Sequence, residues 1–307
     1  MSEQSFSADS LRTGEVSSGR ALSAAELGHA AVSLERPVRL ERAHLVPGRL
    51  DPGGTELVLQ RHGEYRRDRE APDAGSLTPE AIRLETEAAA AYVAQLLAGI
   101  SPSERQRLHF LFVASDTAYA GGGQRSLETV TIAQRVTEVL LAEHDVQSGN
   151  ILNLSHDLMN RGAPRPMRQL REPRMFADSP DFVAYLREQY GDMGKDFWIV
   201  FEEDAEREAR LDFGAEGPDE IADRMHQAVR VFSRYARLFH QARPESRLVI
   251  WASTHYDTIS PFVKRDILHL EKRAAVLVGH GGGLTIDIAP DGVTTAAVAG
   301  QQYSIEL

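Results

Sequence analysis

The chain has 307 residues, of which 42% are hydrophobic and 26% charged, enough apolar material for one large core or two smaller ones. Lys and Arg number 34 against 45 Asp and Glu, a formal net charge of −11, which argues against a chain that coats nucleic acid or anionic membrane and still allows a local anion pocket. The absence of cysteine excludes disulfides, Cys-ligated metal and a thiol nucleophile, and no apolar run approaches the roughly 18 residues of a membrane span.

In chain order, residues 1–50 are rich in Ser, Ala and Arg with weak periodicity, and read as an N-terminal arm or tail with a short helix near 21–31. The first 20 residues carry no apolar signal-like run, so the expected location is cytoplasmic. Residues 56–60 (ELVLQ) suit a buried parallel strand. Thr78-Pro79 places an N-cap before a first-turn proline, predicting a helix to about Leu97. A second strand is expected over 108–114, a helix over 127–143 and a short third strand over 151–154. The stretch from about 156 to 217, with clustered Pro and Arg and the charged run EEDAEREAR, reads as an insertion capping the core; the charged run itself suits a solvated helix face.

Pro218 opens a long amphipathic helix to about 241, and residues 248–252 (LVIWA) form the next strand. The C-terminal segment VLVGHGGGLTIDIAPDGVTTAAV reads as strands joined by Gly-rich and Asp-Gly turns. The expected fold is α/β: three layers with a mostly parallel central sheet, residues 51–307 forming one domain with the cap inserted.

Chemistry concentrates at Gln60-Arg61-His62-Gly63-Glu64, at the carboxyl end of the first core strand, where open α/β sheets bind ligands. Arg61 offers a fork for phosphoryl oxygens, His62 a neutral nitrogen nucleophile near pH 7, and Gly63 a close backbone approach. Taken alone, the tripeptide is equally a surface turn. Two further blocks follow: Phe112-Val113-Ala114-Ser115 with Arg125-Ser126-Leu127-Glu128-Thr129, and the strand ending Ser253-Thr254-His255 before a helix expected from Thr258.

With Leu77-Thr78 before the first helix, these blocks in this order resemble the histidine phosphatase superfamily, the phosphoglycerate-mutase-like proteins. The resemblance runs from about residue 56 to the C-terminus, and the three-glycine segment YAGGGQ is longer than the family's usual connection. It implies His62 as a nucleophile forming a phosphohistidine, with Arg61, Arg125 and His255 binding the phosphoryl oxygens. The chemistry independently needs such donors, because a phosphate monoester dianion reacts slowly unless its charge is spread onto fixed groups. His280, within Gly279-His280-Gly281-Gly282, competes for the role of the second histidine; His255 is preferred because a strand leads into it and a helix follows.

The leaving alkoxide needs a proton. Glu172, in Leu170-Arg171-Glu172-Pro173, matches the family's Leu-x-Glu form, and Asp157 lies nearer the usual chain distance; Glu172 is preferred. A solvated ion pair is the alternative for Glu172, and a solvated turn for Arg66 and Arg67. Histidines 109, 144, 156, 226, 240 and 269 lack metal-ligand spacing, so neither a metal nor another cofactor is expected.

The expected activity is a phosphomonoesterase acting on a small phosphate ester, with no nucleic-acid or membrane partner and with homo-oligomerisation open. A phosphoglycerate-type mutase is the first rival, disfavoured because the chain continues Glu64-Tyr65-Arg66-Arg67-Asp68 after Arg-His-Gly. A phosphate-binding module without turnover is the second.

Overall fold

The computed structural model describes residues 37–119, 122–152 and 163–307. The helix expected near 21–31, residues 153–154 of the third strand and Asp157 lie outside them.

An eight-stranded mixed sheet forms the middle layer. Its strands are β2 (Thr55–Arg61), β3 (Leu108–Ser115), β4 (Ile151–Leu152), β5 (Arg165–Met167), β6 (Arg247–Thr254), β8 (Gly283–Ile288), β9 (Thr294–Val298) and β10 (Gln301–Ser304). The order is β10-β9-β8-β2-β6-β3-β4, with β5 also on β3. β2, β6, β3, β4 and β5 run parallel, whereas β8 joins β2 antiparallel and continues into the β9 and β10 meander. The fold is therefore α/β as expected, with its parallel part in the centre and an antiparallel edge built by the C-terminal strands.

Side-chain alternation explains the layers. Leu57 and Leu59 of β2, Leu111 and Val113 of β3, and Leu248 and Ile250 of β6 all point to one face. There they meet Met225, Val229 and Phe232 of α8 (Pro218–Ala242) and Ile259 and Phe262 of α9 (Tyr256–Phe262). Val58, Phe110, Phe112, Val249 and Trp251 point to the other face, against Tyr92 and Val93 of α1 (Pro79–Ala98) and Val130 and Ala133 of α3 (Arg125–Glu143). Strands buried on both faces need apolar residues at successive positions, which is why ELVLQ and LVIWA read as continuous runs. α1 starts where its cap predicts: Thr78 Oγ1 accepts from the Ala81 amide at 3.1 Å, with Pro79 following.

Glu56 is the polar exception in β2. Its carboxylate accepts from the Gly48 amide at 2.6 Å and from the Tyr92 hydroxyl, and it stands opposite Asp287 across the β2–β8 pair. Burial, reinforced by the Asp287 charge, pushes its carboxyl well above the usual carboxylate range.

Residues 37–50, grouped by sequence with the N-terminal arm, take part in the fold. β1 (Val38–Leu40) pairs in parallel with β7 (Val276–Val278), and Leu40 and Leu50 are buried. Arg42 reaches inward to Glu85 Oε1 at 2.7 Å and to the His280 carbonyl at 3.1 Å. Glu85 Oε2 accepts from Gln60 at 2.7 Å, and Gln60 Oε1 from the Trp251 indole at 2.8 Å, forming a polar network beneath the carboxyl end of β2.

In the region expected as a cap, β5 belongs to the main sheet. Four short helices then follow: α4 (Met175–Asp178), α5 (Pro180–Tyr190), α6 (Lys195–Glu203) and α7 (Arg207–Asp212). They share a small core of Met175, Phe182, Leu186, Phe197 and Phe201 with Ile221 of α8. No described helix is long and apolar enough to cross a membrane.

Candidate active site

The carboxyl ends of β2, β6 and β3 are level: Arg61 pairs with Thr254, and Ala114 with Ser253. The residues that follow these strands therefore emerge at one edge of the sheet. The His62 amide donates to the Thr254 carbonyl at 2.9 Å, and the Gly63 amide to Thr129 Oγ1 at 3.0 Å, which ties the turn to α3. A Cβ on Gly63 would stand 3.2 Å from Glu85 and 3.3 Å from Ala81, so the close approach suits glycine. α3 begins at Arg125 itself, with no side chain capping its amino end, and that end faces the site.

His62 is 3% exposed. Its Nδ1 lies 2.7 Å from the Gly63 carbonyl, so the proton sits on Nδ1 and Nε2 carries the lone pair. Arg125 Nε donates to that Nε2 at 3.0 Å. Burial first, and then the charges of His255, Arg125 and Arg61, hold the imidazole well below its ordinary 6.5. The residue is thus a neutral, oriented nitrogen base.

Arg125 Nη2 donates to Glu172 Oε2 at 2.8 Å and stands 3.3 Å from His255 Nδ1, while its Nη1 is buried without a partner. Arg61 Nη1 donates to the Val278 carbonyl at 2.6 Å, and its Nε is likewise buried and unpartnered. Burial lowers Arg61 to about 10, so it stays cationic at neutral pH. Buried N–H groups normally find an acceptor. Two guanidiniums thus stand near one imidazole, each with a buried N–H that has no acceptor among the described residues.

His255 precedes α9, and its Nε2 lies 2.9 Å from Ser115 Oγ. Its ring centroid is 5.1 Å from that of His62, and burial with the nearby guanidiniums keeps it neutral too. His280, weighed against His255 in the sequence, is also present: its ring is 5.7 Å from His62 and its Nε2 is 3.3 Å from Arg61 Nη2. The two histidines flank His62 differently, His255 with Arg125 and His280 with Arg61.

Glu172 sits on a loop held from several sides. Arg224 of α8 donates to the carbonyls of Gln169 and Arg171, both at 2.8 Å, and Thr258 Oγ1 donates to the Arg171 carbonyl at 2.8 Å. Arg171 pairs with Asp116, just past β3. Glu216, just before α8, accepts from the Arg174 amide at 2.8 Å and from Arg224 Nε at 3.0 Å, bracing the same loop. Burial raises the Glu172 carboxyl while Arg125 opposes the shift.

Asp257 was not singled out from the sequence, where it reads as part of a helix start. It is 8% exposed and borders the cavity beside Glu172. Burial, then repulsion from Glu172, raises it from 3.8 to about 7. Its one recorded hydrogen bond is a long contact of 3.4 Å from Thr258 Oγ1. A cavity of about 900 Å3 opens over these groups, bounded by Arg61, His62, Arg125, Glu172, His255 and Asp257 at its inner end. Among the described residues, no group of three or more His, Asp or Glu side chains gathers as metal ligands would.

No family model and no curated protein sequence matches the chain. Solved structures resemble it in fold. Phosphoglycerate mutase from Bacillus anthracis str. Sterne is 14% identical with a TM-score of 0.46, over 82% of this chain and 95% of that one. A putative alpha-ribazole-5'-P phosphatase from Escherichia coli is 15% identical with a TM-score of 0.39, over 82% of this chain and 98% of that one. A mycobacterial glucosyl-3-phosphoglycerate phosphatase is 16% identical with a TM-score of 0.40, over 80% and 98%. At these identities and TM-scores, residue roles must come from the chain's own geometry.

Proposed function

We propose that the chain is a phosphomonoesterase of the histidine phosphatase type, transferring the phosphoryl group of a small phosphate ester first to His62 and then to water. The observation that supports this most is the neutral His62 Nε2, oriented by its Nδ1–H···O=C bond between two buried guanidiniums with unsatisfied N–H groups.

In the first step the Nε2 lone pair attacks phosphorus and the ester P–O bond breaks. Arg61, Arg125 and the amino end of α3 take the charge on the non-bridging oxygens. An arriving dianion offsets the guanidinium charges that keep His255 neutral, so this ring can take up a proton and donate to an oxygen. The departing alkoxide receives its proton from the Glu172–Asp257 pair. Glu172 is ion-paired with Arg125, so the proton of the pair resides on Asp257. Water then attacks the phosphohistidine and gives its proton back to the carboxylate. The P–N bond breaks, returning the electron pair to Nε2 and releasing inorganic phosphate.

Quenching turnover of an aryl phosphate in alkali and mapping base-stable, acid-labile phosphate tests this reading. Label on the His62 peptide, absent in His62→Ala together with phosphate release, is the expected result. Label on His280, or steady turnover with no labelled histidine, overturns it. Isomerisation of phosphoglycerates without net phosphate release would identify a mutase instead, and vanadate binding without turnover a binding module.

A further inference from the structure

Beyond the reacting groups, the cavity says what the rest of the ester is. This inference rests on the phosphatase reading above and concerns the substrate it takes. One phosphoryl group engages Arg61 and Arg125, which leaves the outer cavity to recognise the organic part.

That outer cavity is walled by aromatic rings. Tyr65 stands edge-on to His62, with centroids 5.4 Å apart, and Tyr119 stands 5.5 Å behind it. A second pair, Phe176 and Trp198, meets at 6.0 Å. All four rings are half-buried and line the cavity. Tyr119 is seated by a glycine: Gly75 has φ +85°, and a Cβ there would lie 2.2 Å from the Tyr119 Cβ. Among the described residues, no Ser, Thr, Asn or Gln lines this space. Arg125 lies over the Tyr65 and Tyr119 rings at 4.5 and 5.5 Å, which leaves Phe176 and Trp198 without a guanidinium over them; a sugar or polyol would find mainly Tyr hydroxyls and the Trp198 N–H as neutral side-chain partners, whereas a flat ring would find aromatic surface.

The charge at the mouth is also in excess of what one phosphate needs. Arg67 and Arg69 are exposed, lying over the rings of Tyr65 and Tyr119 at 5.7 and 5.8 Å, and neither forms an ion pair among the described residues. Arg187, by contrast, is answered by Asp192 at 3.4 Å. Arg69 also bonds the Tyr119 side chain and feels the charge of Asp192, which Arg187 shares; cations held on rings at a cavity mouth, with no carboxylate at ion-pair distance, suit an incoming anion.

We infer that the substrate is a small phosphate monoester carrying a flat ring next to the ester and a second anionic group beyond the ring. The phosphoryl group binds at His62, the ring lies against the aromatic side chains, and the distal anion meets Arg67 and Arg69.

Three esters with similar alkoxide leaving groups test this: 4-carboxybenzyl phosphate, benzyl phosphate and glycerol phosphate. The expected order of kcat/KM is as written, with about tenfold between neighbours. The double variant Arg67→Ala/Arg69→Ala should lower turnover of the carboxybenzyl ester about tenfold more than that of the benzyl ester. Arg67→Glu/Arg69→Glu should reverse the preference between them. Equal kcat/KM for the two benzyl esters, an equal loss on both in the variants, or preference for glycerol phosphate overturns the substrate class while leaving the phosphatase reading intact. Turnover of none of the three, with no phosphohistidine, removes that reading and this inference with it.

Discussion

Arg125→Lys probes the point where most contacts of the site meet. The guanidinium reaches His62 Nε2 at 3.0 Å and Glu172 at 2.8 Å from different nitrogens, and holds a third nitrogen buried and unpartnered. Lysine keeps the charge but is a single point donor, so it cannot serve both neighbours and a phosphoryl oxygen. Loss of one preorganised donor to a transition-state oxyanion costs about 2.7–4 kcal/mol, roughly 10²–10³ in kcat. That is the expected drop for Arg125→Lys on an aryl phosphate. Arg125→Ala adds a second effect. Burial and the charges of His255 and Arg125 keep His62 below 6.5, so removing this cation raises the pKa of His62. The neutral nucleophile is then lost at a higher pH on acidification. The acid limb of kcat/KM should move up in Arg125→Ala and stay in place in Arg125→Lys, read from initial rates across about pH 4–9. A loss below tenfold in the lysine variant, or an unmoved acid limb in the alanine variant, would refute the reasoning.

Asp257→Asn should flatten the alkaline limb, because an acid raised to about 7 loses its proton as pH rises through that value. It should cost about 10²–10⁴ in kcat on an alkyl phosphate and far less on p-nitrophenyl phosphate, whose leaving group departs without a proton; Glu172→Gln should keep that limb but move it to lower pH, because the repulsion that helps raise Asp257 is gone. Glu56→Gln addresses stability. The folded-state carboxyl is raised above its unfolded value of 4.5, so its contribution is complete below that value and is lost as pH climbs towards and beyond neutral. Thermal melts of the native chain should therefore fall between about pH 5 and 8.5 more steeply than those of the variant; parallel curves would contradict this. Arg42→Ala leaves the buried Glu85 with Gln60 alone, and should lower unfolding free energy by about 3 kcal/mol in urea titration. A change under about 1 kcal/mol would show that the network beneath the site is not a stabilising one.

The parallel core was legible because its strands are buried on both faces and announce themselves as apolar runs, and because Thr78-Pro79 encodes a helix start in two adjacent residues. Arg61, His62, Arg125 and His255 come from three chain segments, yet each ends or follows a strand or opens a helix, positions that sequence pattern can locate; Glu172, on a loop, was read from its Leu-x-Glu form instead. Asp257 was not legible. Nothing in Thr254-His255-Tyr256-Asp257 shows that its carboxyl turns towards Glu172, since burial and charge repulsion exist only once the 168–172 loop is folded back over α9. Arg42 was hidden for a similar reason: its partner Glu85 is 43 residues away, and β1 pairs with β7 across more than 230. The antiparallel edge was read as hairpin strands, but that β8 adds directly to β2, bringing His280 beside Arg61, is a matter of pairing that local pattern does not encode.

The arginines argue hardest when compared with one another. Two of the most buried guanidiniums are held by carboxylates and carbonyls: Arg210, 3% exposed, binds Asp204, the Ala215 carbonyl and Glu220, and Arg247, 5% exposed, binds the Leu50 carbonyl and Glu104, whereas Arg42 and Arg187 each keep a buried Nε without a partner. Arg125 is as deeply buried as these, and Arg61 nearly so, yet each keeps a buried N–H without an acceptor. An unsatisfied buried donor costs about 1–3 kcal/mol. What sets Arg61 and Arg125 apart is that their unpartnered N–H groups stand beside neutral imidazoles, Arg125 having its one carboxylate in Glu172. In the proposed mechanism these donors, left without a protein acceptor, interact instead with the charge developing on the transferring phosphoryl group.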